Sequence, residues 1–233
     1  RVGVVGHSEG GIIAPLAASR SEKVAYIVML AGPGVPGIDI LVAQGELINR
    51  AAGTPELLVE SNSRIQRALA DIVKREPDPE AAGPLMRAIM RDELENLPSD
   101  IKEAIPESQV GDLAINTTVN QINSPWFRFF LHHDPRPVLE RVSVPVLAIF
   151  GEKDLQVPHE LHVPEIEAAF QRGNNGDTTV LVLPGLNHLF QQAESGSPSE
   201  YQQIEETFNQ SALELVSSWI LERFATPKQD TLS

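Results

Sequence analysis

The chain has 233 residues, 42% of them hydrophobic and 21% charged, which is the composition of an ordinary globular protein large enough for one big domain or a core carrying an insertion. Its net charge of −14 argues against nucleic acid or an anionic membrane surface as a partner, because both require basic patches. With no cysteine there are no disulfides and no thiolate metal sites, and no apolar run approaches the ~20 residues of a membrane span.

The first predicted element is the apolar run Val2 to Val5, followed by Gly6-His7-Ser8-Glu9-Gly10 and then Gly11-Ile12-Ile13-Ala14. Strand, sharp turn and helix in this order place a serine on a strained elbow, with Oγ raised above the sheet edge at a helix N-terminus. Gly6 and Gly10 are expected to be glycine because strand and helix cross too closely there for a side chain. Val24 to Ala31 reads as the next buried parallel strand, closed by Gly32-Pro33-Gly34.

From 33 to 143 the pattern changes. Ile38–Ala52, Pro55–Lys74 and Pro84–Leu97 have helical spacing, with Pro77-Asp78-Pro79 and Pro98-Ser99-Asp100 between them. Over a hundred residues cannot be a structureless connection, so this stretch is expected to be a helical cap inserted between two strands. Ser124 to Leu131 is expected to return the chain to the core. Its Trp126, Phe127, Phe129 and Phe130 form the densest aromatic cluster of the chain, read as packing between cap and sheet, with Trp126 and Phe127 as candidate substrate contacts.

Two further strand runs follow, Val144–Phe150 ending in Gly151-Glu152-Lys153-Asp154, and Thr178–Leu183 ending in Pro184-Gly185-Leu186-Asn187-His188. The segment Phe208 to Phe224 has a helical stripe of Leu213, Val216, Ile220 and Phe224 that would cover the sheet. The fold class is therefore α/β, a mainly parallel sheet with helices on both faces. Its core comprises 1–32 and 144–225, with the cap at 33–143 and a polar tail at 226–233.

Parallel strands open their C-terminal ends toward ligands, and three chemistry-bearing groups lie at such ends. A serine needs an imidazole base held by a carboxylate, and in this kind of fold they arrive in the order Ser, acid, His. Of six histidines, only His188 follows a strand end with chain left for a covering helix. His7 is read as pointing away from the site, His132 and His133 as cap residues. His159 and His162 are read as surface residues of a helix, not a metal pair. Asp154 is the expected acid, with Glu152 as its competitor. The expected oxyanion donor is the backbone N–H of Glu9.

Gly6–Gly11, Ser124–Phe127, Gly151–Asp154 and Pro184–Phe190 together resemble a bacterial group of capped α/β-hydrolase carboxylesterases. The resemblance spans Val2 to Phe224 and implies a carboxylic-ester hydrolase with a Ser8-Asp154-His188 triad, favouring shorter acyl chains, with no cofactor or metal and a small-molecule ester as its partner. Thioesterase, acyl transferase and serine peptidase chemistry use the same triad, and a non-catalytic hydrolase-like fragment is the alternative outside enzymes. Such folds have strands before the elbow, so the chain is expected to be the C-terminal two-thirds of an enzyme whose second oxyanion donor lies upstream.

Overall fold

A computed structural model describes residues 2–224; the tail expected at 226–233 lies outside the described residues. The chain divides into two compact units, Arg1–Gly34 with Arg136–Ser233, and Val35–Pro135. Residues 136–143, read from sequence with the insertion, thus fall in the first unit.

Among the described residues the first unit is built on four strands, β1 (Val2–His7), β2 (Val24–Leu30), β3 (Val146–Gly151) and β4 (Thr178–Leu183), in the order β1-β2-β3-β4. All three pairings are parallel, with Val4 opposite Ile27, Ile27 opposite Val146, and Val146 opposite Thr178. Parallel neighbours need long crossovers. Helix α1 (Gly10–Ala18) joins β1 to β2, and an α-helix at His159–Arg172 joins β3 to β4. The sheet is therefore of the α/β kind, as its apolar runs imply.

β3 is buried at every position, which a continuous Val-Leu-Ala-Ile-Phe run allows and an alternating one would not. At the edges of the described sheet burial is looser: Val2 and Val5 of β1 are 59% and 52% exposed. One core cluster unites Ile27, Val28 and Met29 of β2 with Leu147, Ile149 and Phe150 of β3 and with the helices against them.

The second unit is all helical: α2 (Gly37–Ala51), α3 (Glu56–Arg75), α4 (Pro79–Glu95), α5 (Ser99–Ala104), α6 (Glu107–Val110), α7 (Asp112–Ile122) and α8 (Pro125–His132). Helix α4 starts earlier than Pro84. The Asp78 carboxylate accepts the N–H of Glu80 at 3.0 Å and Pro79 occupies the first helical position, a strong start signal that leaves Pro84 inside the helix.

Helix α8 corrects a second expectation. Ser124 caps it, accepting the N–H of Phe127, but Phe127, Phe130 and Leu131 pack with Leu69, Met86, Ile115 and Val119, the helical unit's own core. Phe127 and Phe130 therefore belong to the core of that unit, whereas Trp126 and Phe129 are 48% and 58% exposed. Trp126 stacks on Phe130 at 5.4 Å.

Back in the first unit, α9 (Arg136–Leu139) precedes β3, the crossover helix His159–Arg172 is α10, and α11 is Gln210–Phe224. The buried residues of α11 are Ala212 and Trp219, with Leu215, Val216 and Ile220 partly buried beside them, whereas Leu213 is 45% exposed. Val216 and Ile220 of the expected stripe do pack against the core and Phe224 stacks on Tyr26, so Leu213 alone departs from it, and the buried face widens to take in Ala212 and Trp219.

Candidate active site

The elbow forms as strand chemistry hands over to helix chemistry. β1 ends at His7, and Ser8 takes a left-handed backbone, φ 55°, unusual for a residue with a Cβ. It is held there from both sides, its N–H donating to Leu30 O and its C=O accepting from Gly11 N–H, each at 2.8 Å. A conformation that costs ~1–3 kcal/mol persists where its surroundings fix it.

Two glycines make the close crossing possible. A Cβ on Gly6 would collide with the backbone carbonyl of Gly10, and one on Gly11 with the Cα of Gly32 just beyond β2. Gly10, expected from sequence to be sterically required, faces open space. Glu9 occupies the N-cap position of α1 with helical φ and ψ of −53° and −37°.

Asp154 lies in the turn after β3 and is 3% exposed. Its Oδ1 accepts the backbone N–H groups of Gln156 and Val157, both at 2.8 Å. Its Oδ2 meets Nδ1 of His188 at 2.8 Å. With a carboxylate on that side, Nδ1 carries the proton and Nε2 becomes the basic nitrogen of the ring. Glu152 does something else: its Oε2 accepts the N–H of Gly185 at 2.8 Å, bracing the turn after β4 at the surface.

The turn bearing His188 is built by its neighbour. Asn187 is fully buried, and its Oδ1 accepts the N–H groups of Leu189 at 2.9 Å and Gln191 at 3.0 Å. Its Nδ2 donates to Gln191 Oε1 at 3.0 Å, so the amide is satisfied on both sides. Phe190, at φ 57°, is fully buried and stacks on Phe208.

Two histidines depart from their sequence reading. His7 does not point away: its Nε2–H donates to the backbone carbonyl of His188 at 2.8 Å, and the two rings lie 4.7 Å apart. Burial lowers its pKa, with the neighbouring His188 acting in the same direction against the raising effects of its carbonyl bond and Asp154. A polar side chain at the C-terminal end of a parallel strand was the available signal for it. His162 is not on the surface: it is fully buried in α10, its Nδ1 accepts the N–H of Gly34 at 2.9 Å, and desolvation pushes its pKa down to about 4. His159 opens the same helix, its Nδ1 2.7 Å from Glu160, while His132 and His133 end α8.

The structure thus brings Asp154 and His188 into direct contact and joins the elbow to His188 through His7. Among the described residues no hydrogen bond joins Ser8 to His188. Trp126 and Phe127 lie in the helical unit, edge to face at 5.4 Å. Among the described residues, no cluster of three or more His, Cys, Asp or Glu side chains is placed to hold a metal ion, and no helix is long and apolar enough to cross a membrane.

No protein-family model matches the chain, and no curated protein matches it. Solved structures do. A monoacylglycerol lipase from Paleococcus ferrophilus is 18% identical at a TM-score of 0.41, over 95% of this chain and 68% of its own. A thermophilic esterase from Thermogutta terrifontis, malate bound, is 17% identical at a TM-score of 0.41, over 95% of this chain and 65% of its own. An alpha/beta hydrolase enzyme from a Medee basin deep-sea metagenome library is 15% identical at a TM-score of 0.43, over 100% of this chain and 68% of its own. The chain therefore spans about two thirds of the length of each.

Proposed function

We propose that the chain is a serine hydrolase of the α/β-hydrolase kind, cleaving carboxylic esters of short to medium acyl chain through an acyl-enzyme on Ser8. The observation that carries this reading is the buried Asp154–His188 pair at 2.8 Å, at the same sheet edge as a serine held in a left-handed elbow.

In this reading His188 Nε2 takes the proton of Ser8 as Oγ attacks the ester carbonyl. Asp154 keeps the imidazole in the required tautomer and stabilises the imidazolium, its second oxygen being fixed by the Gln156 and Val157 amides. The oxyanion is assigned to the backbone N–H of Glu9, at the N-terminus of α1 where the helix dipole favours negative charge. His188 then protonates the leaving alcohol, and water repeats the cycle to free the acid. The reading takes the helical unit, Val35–Pro135, as the cap and keeps Trp126 and Phe127 as candidate acyl contacts on their apolar character alone.

A fluorophosphonate probe tests the reading. It is expected to label Ser8 and no other serine, and Ser8→Ala is expected to abolish labelling together with hydrolysis of p-nitrophenyl esters. Labelling or turnover that survives the substitution removes Ser8 from the role.

A further inference from the structure

The turn carrying His188 has to cross the sheet. It leaves β4 at Leu183, whereas the elbow follows β1, and the two strands lie at opposite ends of the order β1-β2-β3-β4. Neighbouring strands are ~4.8 Å apart, so about 14 Å of sheet edge separates them. Only five residues, Pro184 to His188, span the interval, and five extended residues reach about 17 Å at most.

The near part of this crossing is fixed at β3. Lys153 N–H donates to Leu186 O at 2.9 Å. The segment passes so close to Gly151 that a Cβ there would meet the carbonyl oxygens of Leu186 and Asn187. Asn187 then closes the turn on Gln191. At the far end, the backbone of His188 is held by a side chain of the elbow itself: His7 Nε2–H on His188 O, with the rings 4.7 Å apart and inclined at 43°.

We propose that His7 is a positioning residue for the base. By donating to the His188 carbonyl it pins the crossing turn against β1 and sets the distance and pitch of the His188 ring relative to Ser8. His7 is covalently joined to Ser8, so nucleophile and base are linked through one peptide unit and one hydrogen bond. Asp154 controls the other side of the same ring through Nδ1. Without the His7 bond the base keeps its proton partner but loses its reference to the nucleophile. The inference rests on the reading of His188 as the general base of a serine hydrolase.

Three variants separate the donor from the ring. His7→Phe keeps an aromatic ring and removes the donor, while His7→Gln keeps an N–H donor and removes the ring. His7→Met lacks both and stands in if His7→Phe fails to fold. On p-nitrophenyl acetate His7→Phe is expected to lose about 10- to 100-fold in kcat, the scale of a small misplacement of catalytic groups. KM should stay within about twofold, and His7→Gln should recover most of the loss. Retention of kcat in His7→Phe with loss in His7→Gln would mean that His7 only fills space, and overturns the proposal.

The downfield proton resonance of His188 Nδ1–H, bonded to Asp154, supplies a second readout that needs no turnover. Recorded in a Ser8→Ala background, it is expected to broaden or shift in His7→Phe and to return in His7→Gln. An unchanged resonance in His7→Phe overturns the proposal. Should wild-type protein fail to hydrolyse esters, the serine-hydrolase reading falls while this resonance still decides whether His7 controls His188.

Discussion

Two carboxylates follow β3 within three residues, and their surroundings separate them. Asp154 is buried, accepts two backbone N–H groups with one oxygen and presents the other to His188. Glu152 reaches the Gly185 amide at the surface. If the triad is right, Asp154→Asn turns the wrong tautomer of His188 toward Ser8 and should cost about 10⁴ in kcat, as triad aspartates do elsewhere. Glu152→Gln keeps an acceptor for Gly185 and should leave kcat within about twofold. Steady-state hydrolysis of a p-nitrophenyl ester by the two variants checks this, and the reverse ranking would move the acid to Glu152. The placement of Ser8, Asp154 and His188 just past strand ends was legible because each residue closes a short local pattern, a strand end followed by a turn. His7 was not, because its partner is 181 residues away and local spacing carries no information about a turn that spans three strand spacings.

At the level of elements, continuous apolar runs located all four strands, and alanine- and leucine-rich spacing located α2, α3 and most of α4. What the runs could not supply was direction. The period of α11 is equally helical through Leu213 or through Ala212 and Trp219; in the structure Leu213 is 45% exposed, while Trp219 and Phe224 both meet the Tyr26 ring, at 5.9 and 4.5 Å between centroids. The elbow glycines show the same limit: a Gly-x-Ser-x-Gly pattern marks the turn but not which glycine is sterically required. Gly6 and Gly11 back onto Gly10 and Gly32, whereas Gly10 has nothing within 4 Å of a Cβ. Gly10→Ala should therefore be neutral or stabilising by up to ~1 kcal/mol, since alanine loses less backbone entropy in a helix. Gly6→Ala and Gly11→Ala, whose added carbon meets backbone that cannot swing aside, should destabilise by about 1–3 kcal/mol or more. Urea unfolding of the three variants checks the ranking. A destabilised Gly10→Ala beside a tolerated Gly11→Ala would contradict this crossing geometry of strand and helix.

For the molecule as a whole, the question is how an acidic chain responds to acid. With 32 Asp and Glu against 18 Lys and Arg, the surface is strongly negative near neutrality. The side chain whose ordinary range lies between pH 7 and 5 is histidine, and the structure shifts three of the six in one direction. Burial lowers the pKa of His7, His133 and His162, the last from 6.5 to about 4. His162 is neutral when folded, its Nδ1 lone pair occupied by the Gly34 N–H. Once unfolded it takes up a proton below about pH 6.5. Its contribution to stability is therefore complete above about pH 6.5 and is lost as the pH falls toward 4. Between pH 7 and 5 the loss should be on the order of 1–2 kcal/mol. His162→Gln retains a side-chain acceptor for Gly34 but cannot titrate, so it should lower stability at pH 7 through imperfect fit while flattening the decline toward pH 5. Urea midpoints of wild type and variant across this range decide the matter. Parallel declines in the two proteins would show that the acid sensitivity of the fold resides in groups other than this buried imidazole.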